Sequence, residues 1–232
     1  MTAKPSVQNS IDWAWTRRLV NSLLPRALWS LSPRKLRQRS YWSSQKAGDS
    51  HGFDKYLHDR PQAPFLFQEI ERLAKKSDRL LDLGCNSGYY LQELKRRGYS
   101  QLAGVDISQF AIDFGKVEFD LTGVELTVGS FEDTLPTFFA ENRRFDVIYS
   151  MGATIELVHP SFDIVSNIAR VCDKYVVLFI SEWGHGNARF YEYEFQKSNF
   201  LMIKCARPYN GVYEKGTSPS SLYSLLVFQR ID

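Results

Sequence analysis

Residues 80–91 read Leu80-Leu81-Asp82-Leu83-Gly84-Cys85-Asn86-Ser87-Gly88-Tyr89-Tyr90-Leu91. The apolar run over 79–83 predicts a buried strand, and the glycines after it predict a tight turn. Leu91 and Leu94 then continue at helical spacing until Gly98. A strand–turn–helix unit puts its turn at the carboxyl end of a strand, where ligands bind in open α/β sheets. Asp106 closes the next predicted strand, Leu102–Asp106, 22 residues after Gly84. An acid at that distance can accept hydrogen bonds from ribose hydroxyls.

Outward from this unit, strands and helices alternate. A helix is predicted over 63–77, another over 108–120 and a third over 161–172. Further strands are expected over 123–129, 145–150 and 175–180, the last strongly β-branched. Two more, 200–206 and 222–228, close the chain. Near-continuous apolar strands separated by helices imply a parallel sheet covered on both faces. The segment 207–221 is rich in Pro, Gly and Ser, too short and too broken for a crossover helix. The last two strands should therefore pair like a hairpin at one end of the sheet. The expected fold is α/β: a Rossmann-like, seven-stranded, mostly parallel sheet with one antiparallel strand near the C-terminus and helices on both faces.

A nicotinamide or flavin dinucleotide site wants glycines at 84, 86 and 89. Asn86 and Tyr89 fail that pattern. Asp82, just ahead of the loop, suits a cationic, amine-bearing ligand better than a pyrophosphate. Three more blocks follow in order: Gly104-Val105-Asp106-Ile107-Ser108, Val128-Gly129-Ser130-Phe131-Glu132-Asp133-Thr134-Leu135-Pro136, and Phe145-Asp146-Val147-Ile148-Tyr149-Ser150-Met151. With residues 80–91, these blocks resemble the class I S-adenosylmethionine-dependent methyltransferases across roughly 65–206.

The resemblance implies S-adenosyl-L-methionine as cofactor and S-adenosyl-L-homocysteine as product, with no metal. It implies that Asp82 holds the methionine amino group. Gly84, Cys85, Asn86 and Gly88 would line the methionine portion through their backbone. Asp106 would bind the ribose hydroxyls, Ile107 would pack on the adenine, and Ser130 and Phe131 would flank its edge. Ser150 and Met151 would lie beside the transferred methyl. Asn86 replaces the family's usual middle glycine, and asparagine tolerates positive φ well. Ser130 replaces a frequent aspartate. Quinone-precursor O-methyltransferases carry Glu-His after the fourth strand. Here Glu156 matches, Leu157 takes the histidine's place and His159 lies two residues on. His159 is the first candidate general base, His185 the second, and Glu156 joins them as a candidate. Tyr56 could touch the cofactor and His51 or His58 the acceptor. Trp183, His185 and Arg189 follow the fifth strand, where acceptor pockets commonly lie.

The 232-residue chain is 44% hydrophobic and 24% charged, which suits one full domain with an appendage. Cys85, Cys172 and Cys205 form no CxxC pair, which argues against a disulfide framework or a cysteine zinc site and for a reducing compartment. No 18-residue apolar run predicts a membrane span, and the start of the chain does not read as a secretory signal. The localisation expected is cytoplasmic, with peripheral membrane contact as a variant.

The net charge of +3 conceals an asymmetry: residues 1–42 carry eight basic side chains and one acid. This basic arm (1–42) is read apart from the methyltransferase-like body (43–232). Trp15, Leu19, Leu23 and Ala27 recur at helical spacing, Ser10 could cap the start, Pro25 should kink the helix and Ser32-Pro33 should end it. Four readings stay open for the arm. It could pack on the body or on a second copy through residues 10–40. It could lie on an anionic membrane, act as a mitochondrial targeting segment, or bind nucleic acid. No nucleic-acid recognition module is visible, so nucleic acid is not favoured. The activity expected is methyl transfer to a small-molecule, sugar or lipid-linked acceptor. The alternatives are an RNA or protein methyltransferase guided by the arm, and a non-catalytic binding module.

Overall fold

The computed structural model describes residues 7–24, 34–50, 52–57, 62–151, 155–181, 187, 189–206 and 223–231. Seven strands form one sheet: β1 (Arg79–Leu83), β2 (Gln101–Asp106), β3 (Glu125–Val128), β4 (Phe145–Met151), β5 (Cys172–Ser181), β6 (Phe200–Ala206) and β7 (Tyr223–Arg230). Their spatial order is β3-β2-β1-β4-β5-β7-β6. Neighbours from β3 through β5 run parallel, and β7 lies antiparallel between β5 and β6. The strand order reverses between β1 and β4, so the loops leaving these two strands diverge and open a crevice.

The described helices are α1 (Val7–Leu23), α2 (Arg34–Ser44), α3 (Ala63–Leu73), α4 (Tyr89–Arg96), α5 (Gln109–Glu118), α6 (Phe131–Ala140), α7 (Ile164–Val171) and α8 (Tyr191–Gln196). Side chains alternate across the sheet with period two. Leu81, Ile148, Val176 and Leu178 face a core closed by Leu135, Phe138, Ile164, Ile168 and Phe195 from α6, α7 and α8. Leu80, Val147, Tyr149, Val177 and Phe179 face a second core closed by Leu66, Ile70, Leu91, Leu94 and Ile112 from α3, α4 and α5. Each fully buried Leu, Ile or Phe contributes about 1.5–3 kcal/mol by leaving water, which fixes the strand register on both faces.

Three helices escape the sequence reading: α2 begins just past the stop expected at Ser32-Pro33, and two more lie in the body. α6 carries Pro136 in its interior, and α8 opens on an alternating Tyr191-Glu192-Tyr193-Glu194. The arm also differs from expectation. α1 is already helical at Val7, so Ser10 lies inside the helix and does not cap it, and α1 ends at Leu23, before Pro25. Residues 25–33, where a kink and a stop were expected, lie outside the described residues. The arm packs on the body. Arg18 Nε donates to the Arg189 carbonyl at 2.9 Å, the Phe190 N–H donates to Ser22 Oγ at 2.8 Å, and Trp15 meets Phe190 edge to face. From α2, Arg39 pairs with Asp133 near the start of α6. Among the described residues, no helix is long and apolar enough to cross a membrane.

One close approach holds the crevice in shape. A Cβ on Gly115 in α5 would lie 1.8 Å from the backbone oxygen of Ser87 in the β1–α4 turn. Backbone cannot yield as a side chain can, so Gly115→Ala must push α5 off the turn. The expected loss is about 1–3 kcal/mol of stability with weakened ligand binding at the turn. Denaturant unfolding and calorimetry on the variant check both.

Candidate functional site

The turn from β1 to α4 is built by backbone geometry. Gly84, Asn86 and Gly88 all adopt positive φ, at 79°, 51° and 84°. Asn86 thus holds the left-handed conformation expected of it, and its side-chain oxygen accepts the Ser87 N–H at 2.8 Å. The Gly84 and Cys85 N–H groups both donate to the Val105 carbonyl, at 2.8 and 3.1 Å. Gly88 donates to the Cys85 carbonyl at 2.8 Å and starts α4. Ser150 at the end of β4 is buried and donates its hydroxyl to the Leu83 carbonyl at 2.9 Å. The turn is thereby tied to both neighbouring strands, with Met151 half-buried next to Ser150.

Asp106 occupies the end of β2. Its Oδ2 accepts the Asn86 N–H at 2.9 Å and its Oδ1 accepts the Ser108 N–H at 2.8 Å. Both oxygens retain a second acceptor direction. Burial pushes its pKa up, and the backbone N–H groups of Ser108, Asn86 and Ile107 oppose that shift. Ile107 is half-buried beside it, and Ser108 caps α5 by accepting the Ala111 N–H. Across the crevice, Ser130 is buried at the start of α6 and donates to Asp133 Oδ2 at 2.8 Å, with Phe131 half-buried next to it.

Asp82 is 1% exposed. Burial drives its carboxyl well above the usual range, and the charge of Asp106 adds to the rise. Its Oδ2 is buried and accepts no hydrogen bond among the described residues. A buried carboxylate oxygen with no donor is costly, and a ligand ammonium would satisfy it. Cys85 is buried against Gly104, where a Cβ would come within 2.7 Å of its sulfur. Burial and the charges of Asp106 and Asp82 push its thiol up, which disfavours a nucleophilic thiolate.

Beyond β4, Glu156 and His159 are buried. His159 Nδ1 lies 3.1 Å from Ser161 Oγ and 3.3 Å from the Ser161 N–H. Arg189 is fully buried. Its Nη2 donates to the carbonyls of Val158, His159 and Phe162 at 3.1–3.4 Å, clamping the segment after β4 onto the one before α8. Tyr56 lies in a turn, Phe53–Tyr56, whose Phe53 ring packs 4.7 Å from Phe114 of α5. His51, His58, Trp183 and His185 lie outside the described residues.

The structure therefore brings Asp82, the turn 84–88, Asp106, Ile107, Ser130, Phe131, Ser150 and Met151 to one edge of the sheet at its switch point. Residues 56–226 match a family described as "Methyltransferase domain". The chain belongs to this methyltransferase family. A tRNA U34 carboxymethyltransferase from Helicobacter hepaticus is 33% identical over 93 residues, covering 35% of this chain and 27% of that protein. The ribosomal protein L11 methyltransferase of Thermotoga neapolitana is 32% identical over 72 residues, covering 31% and 26%. The chain thus spans about a quarter of the length of these curated relatives. The solved magnesium protoporphyrin IX methyltransferase from Synechocystis PCC 6803, with S-adenosylmethionine bound, superposes with a TM-score of 0.62 at 12% identity, over 87% of this chain and 99% of that one. At that identity the likeness concerns the fold.

The residues at the crevice fit the family's cofactor. The unsatisfied Asp82 Oδ2 suits an ammonium, the positive-φ turn leaves backbone open to close approach, and Asp106 is oriented for a diol. Three contributors were not legible beforehand. Gly115 and Gly104 make room for the turn, and Tyr149 is the register partner of Asp82 on β4. Tyr149 reads in sequence as one more apolar strand residue.

The burial of Asp82 predicts a pH-dependent stability. Its folded pKa lies above the unfolded value of about 3.9, so the folded state holds that proton more tightly. No penalty acts below about pH 4, where both states are protonated. As pH rises the unfolded chain ionises first, and stability falls until the folded carboxyl ionises too. Asp82→Asn removes this penalty. The variant without ligand should melt higher than the unaltered chain at neutral pH, the gain shrinking to nothing near pH 4. Thermal unfolding across pH measures it.

Proposed function

We propose that the chain transfers the methyl group of S-adenosylmethionine to a small-molecule, sugar or lipid-linked acceptor, on oxygen or nitrogen. The observation carrying this reading is the buried, unsatisfied Asp82 Oδ2 at the switch point, beside the turn 84–88 and facing the oriented Asp106. When bound, the cofactor supplies an activated methyl on a sulfonium. The chain's residues position it. Asp82 accepts from the methionine ammonium, and Asp106 uses its remaining lone pairs for the ribose hydroxyls. Ile107 offers an apolar surface to the adenine. Ser130 spends its proton on Asp133 and so keeps its oxygen available to accept the adenine amino group. Ser150 holds Leu83 and hence the turn in place.

Transfer to an aligned acceptor is an in-line displacement, so positioning and exclusion of water account for much of the rate. A hydroxyl acceptor also needs a proton acceptor. His159 is the candidate, held by Ser161 and by the backbone clamp of Arg189, with Glu156 buried nearby in sequence and His185 as the alternative. The location consistent with this reading is the cytoplasm, with peripheral membrane contact through the arm.

A second reading, RNA or protein methylation, draws on the basic arm and on relatives named for tRNA and ribosomal protein. It predicts RNA affinity that falls steeply with salt and vanishes on removal of residues 1–42.

Calorimetry with S-adenosylmethionine and S-adenosylhomocysteine tests the site. Micromolar binding is expected for the chain, weakened at least about 100-fold by Asp106→Ala, which removes both the ribose acceptor and the tether on Asn86. A folded chain that binds neither compound would end the methyltransferase reading and favour the non-catalytic module. Once an acceptor is found with radiolabelled methyl, His159→Ala should lower kcat by about 100-fold or more and flatten its pH profile. Unchanged turnover across pH would remove His159 from the mechanism.

A further inference from the structure

Asp82 has a companion that the cofactor reading leaves unexplained. In the parallel pairing of β1 with β4, Asp82 lies opposite Tyr149. Asp82 follows Leu81 and precedes Leu83, which face the first core, so by strand alternation it shares the second face with Tyr149. Tyr149 is fully buried. As register partners on one face of adjacent strands the two side chains are neighbours, and the Tyr149 hydroxyl favours the ionised form of Asp82. Yet neither Asp82 Oδ2 nor the Tyr149 hydroxyl oxygen has a hydrogen-bond partner among the described residues. Two adjacent buried polar atoms are thus left short of partners at the place where the methionine ammonium would arrive. Apolar side chains fill the rest of this face of β4, so phenylalanine would suffice here if packing were the whole role.

The groups facing the pair are few. Asp106 contributes negative charge from β2, Cys85 a thiol from the turn, and Tyr90 a phenol from α4. No cation among the described residues assists the ionisation of Asp82. A carboxylate so placed has one neighbouring donor, the Tyr149 hydroxyl, and otherwise keeps its proton.

We propose that Tyr149 is a positioning residue for cofactor binding: its hydroxyl supports the Asp82 carboxylate that forms when the incoming ammonium of the methionine moiety displaces the carboxyl proton. The proposal rests on the cofactor reading above. On binding, the Asp82 O–H bond breaks and the proton passes to buffer. The carboxylate then accepts one hydrogen bond from the ammonium and one from the Tyr149 hydroxyl. Tyr149 thereby fixes which oxygen faces the ligand and lowers the cost of ionising Asp82. Binding is coupled to proton release at acid pH, and the coupling fades once Asp82 is ionised in the free protein.

The test is calorimetry of S-adenosylhomocysteine, which carries the same ammonium, in buffers of contrasting ionisation enthalpy between about pH 5 and pH 9. The chain should release a proton at the acid end, the release declining as pH rises. At alkaline pH the ligand's own amino group gives the opposite sign, proton uptake, so the two are separable. Tyr149→Phe removes only the hydroxyl and so keeps the packing. It should carry proton release to higher pH and weaken binding by about tenfold near neutrality, with a smaller loss at alkaline pH. Asp82→Asn should abolish the release altogether. The NMR titration of Asp82 in the free protein should move upward in Tyr149→Phe, a readout needing no ligand. Binding without proton release, or a Tyr149→Phe loss equal at every pH with an unmoved Asp82 titration, would overturn the proposal. Absence of any binding by the unaltered, folded chain would instead overturn the cofactor reading beneath it, and the proposal with it.

Discussion

The chain must reverse between Leu83 and Tyr89 without losing contact with either neighbouring strand, and the site depends on how it does so. Three residues at positive φ make the reversal possible. The Val105 carbonyl, the Asp106 carboxylate and the Ser150 hydroxyl make it rigid. The fastenings come from β2 and β4, the two strands flanking β1, so the sheet must be assembled before the turn has its shape. Glycine at 115 then lets α5 press on Ser87 from outside. The crevice is thus a product of sheet order as much as of the motif.

That rigidity has an electrostatic cost. The same packing that closes the turn removes water from Asp82, Asp106, Cys85 and Tyr149, and burial is the first cause of each group's raised pKa. Asp106 is compensated by backbone donors, whereas Asp82 Oδ2 is not. The difference separates an acid held in place by the fold from one completed by a ligand. A binding site whose charge is balanced only when occupied couples occupancy to stability and to protonation.

The arm bears on both sides of the crevice. α1 grips the backbone at Arg189 and Phe190, past β5, and α2 reaches Asp133, which also receives the Ser130 hydroxyl. The basic composition that suggested a membrane or nucleic-acid partner thus serves, at Arg18 and Arg39, contacts within the chain. Arg189 has a comparable role: expected to line a pocket, it is buried and clamps three carbonyls after β4.

Short apolar runs flanked by turn-forming residues, Asp78 and Gly84 around β1 and Asn199 and Pro208 around β6, are decided locally, and for that reason β1 (Arg79–Leu83) and β6 (Phe200–Ala206) match the sequence reading end to end. The left-handed Asn86 and the acids at 82 and 106 were legible for the same reason, since each is a choice of residue type at a fixed place in a turn or strand end. Two helices of the body were not. Tyr191-Glu192-Tyr193-Glu194 alternates like a strand, and only packing shows Tyr191 and Phe195 buried on one helical face. Pro136 hid α6, although Leu135 and Phe138 anchor it to the core. The sequence by itself determined the strand–helix alternation, the turn and its acids, because propensity and hydrophobic period act between near neighbours. Only the tertiary structure decided that Tyr149 faces Asp82, that Gly115 meets Ser87 and that Arg189 is buried. Register, helix approach and desolvation each depend on residues far apart in the chain.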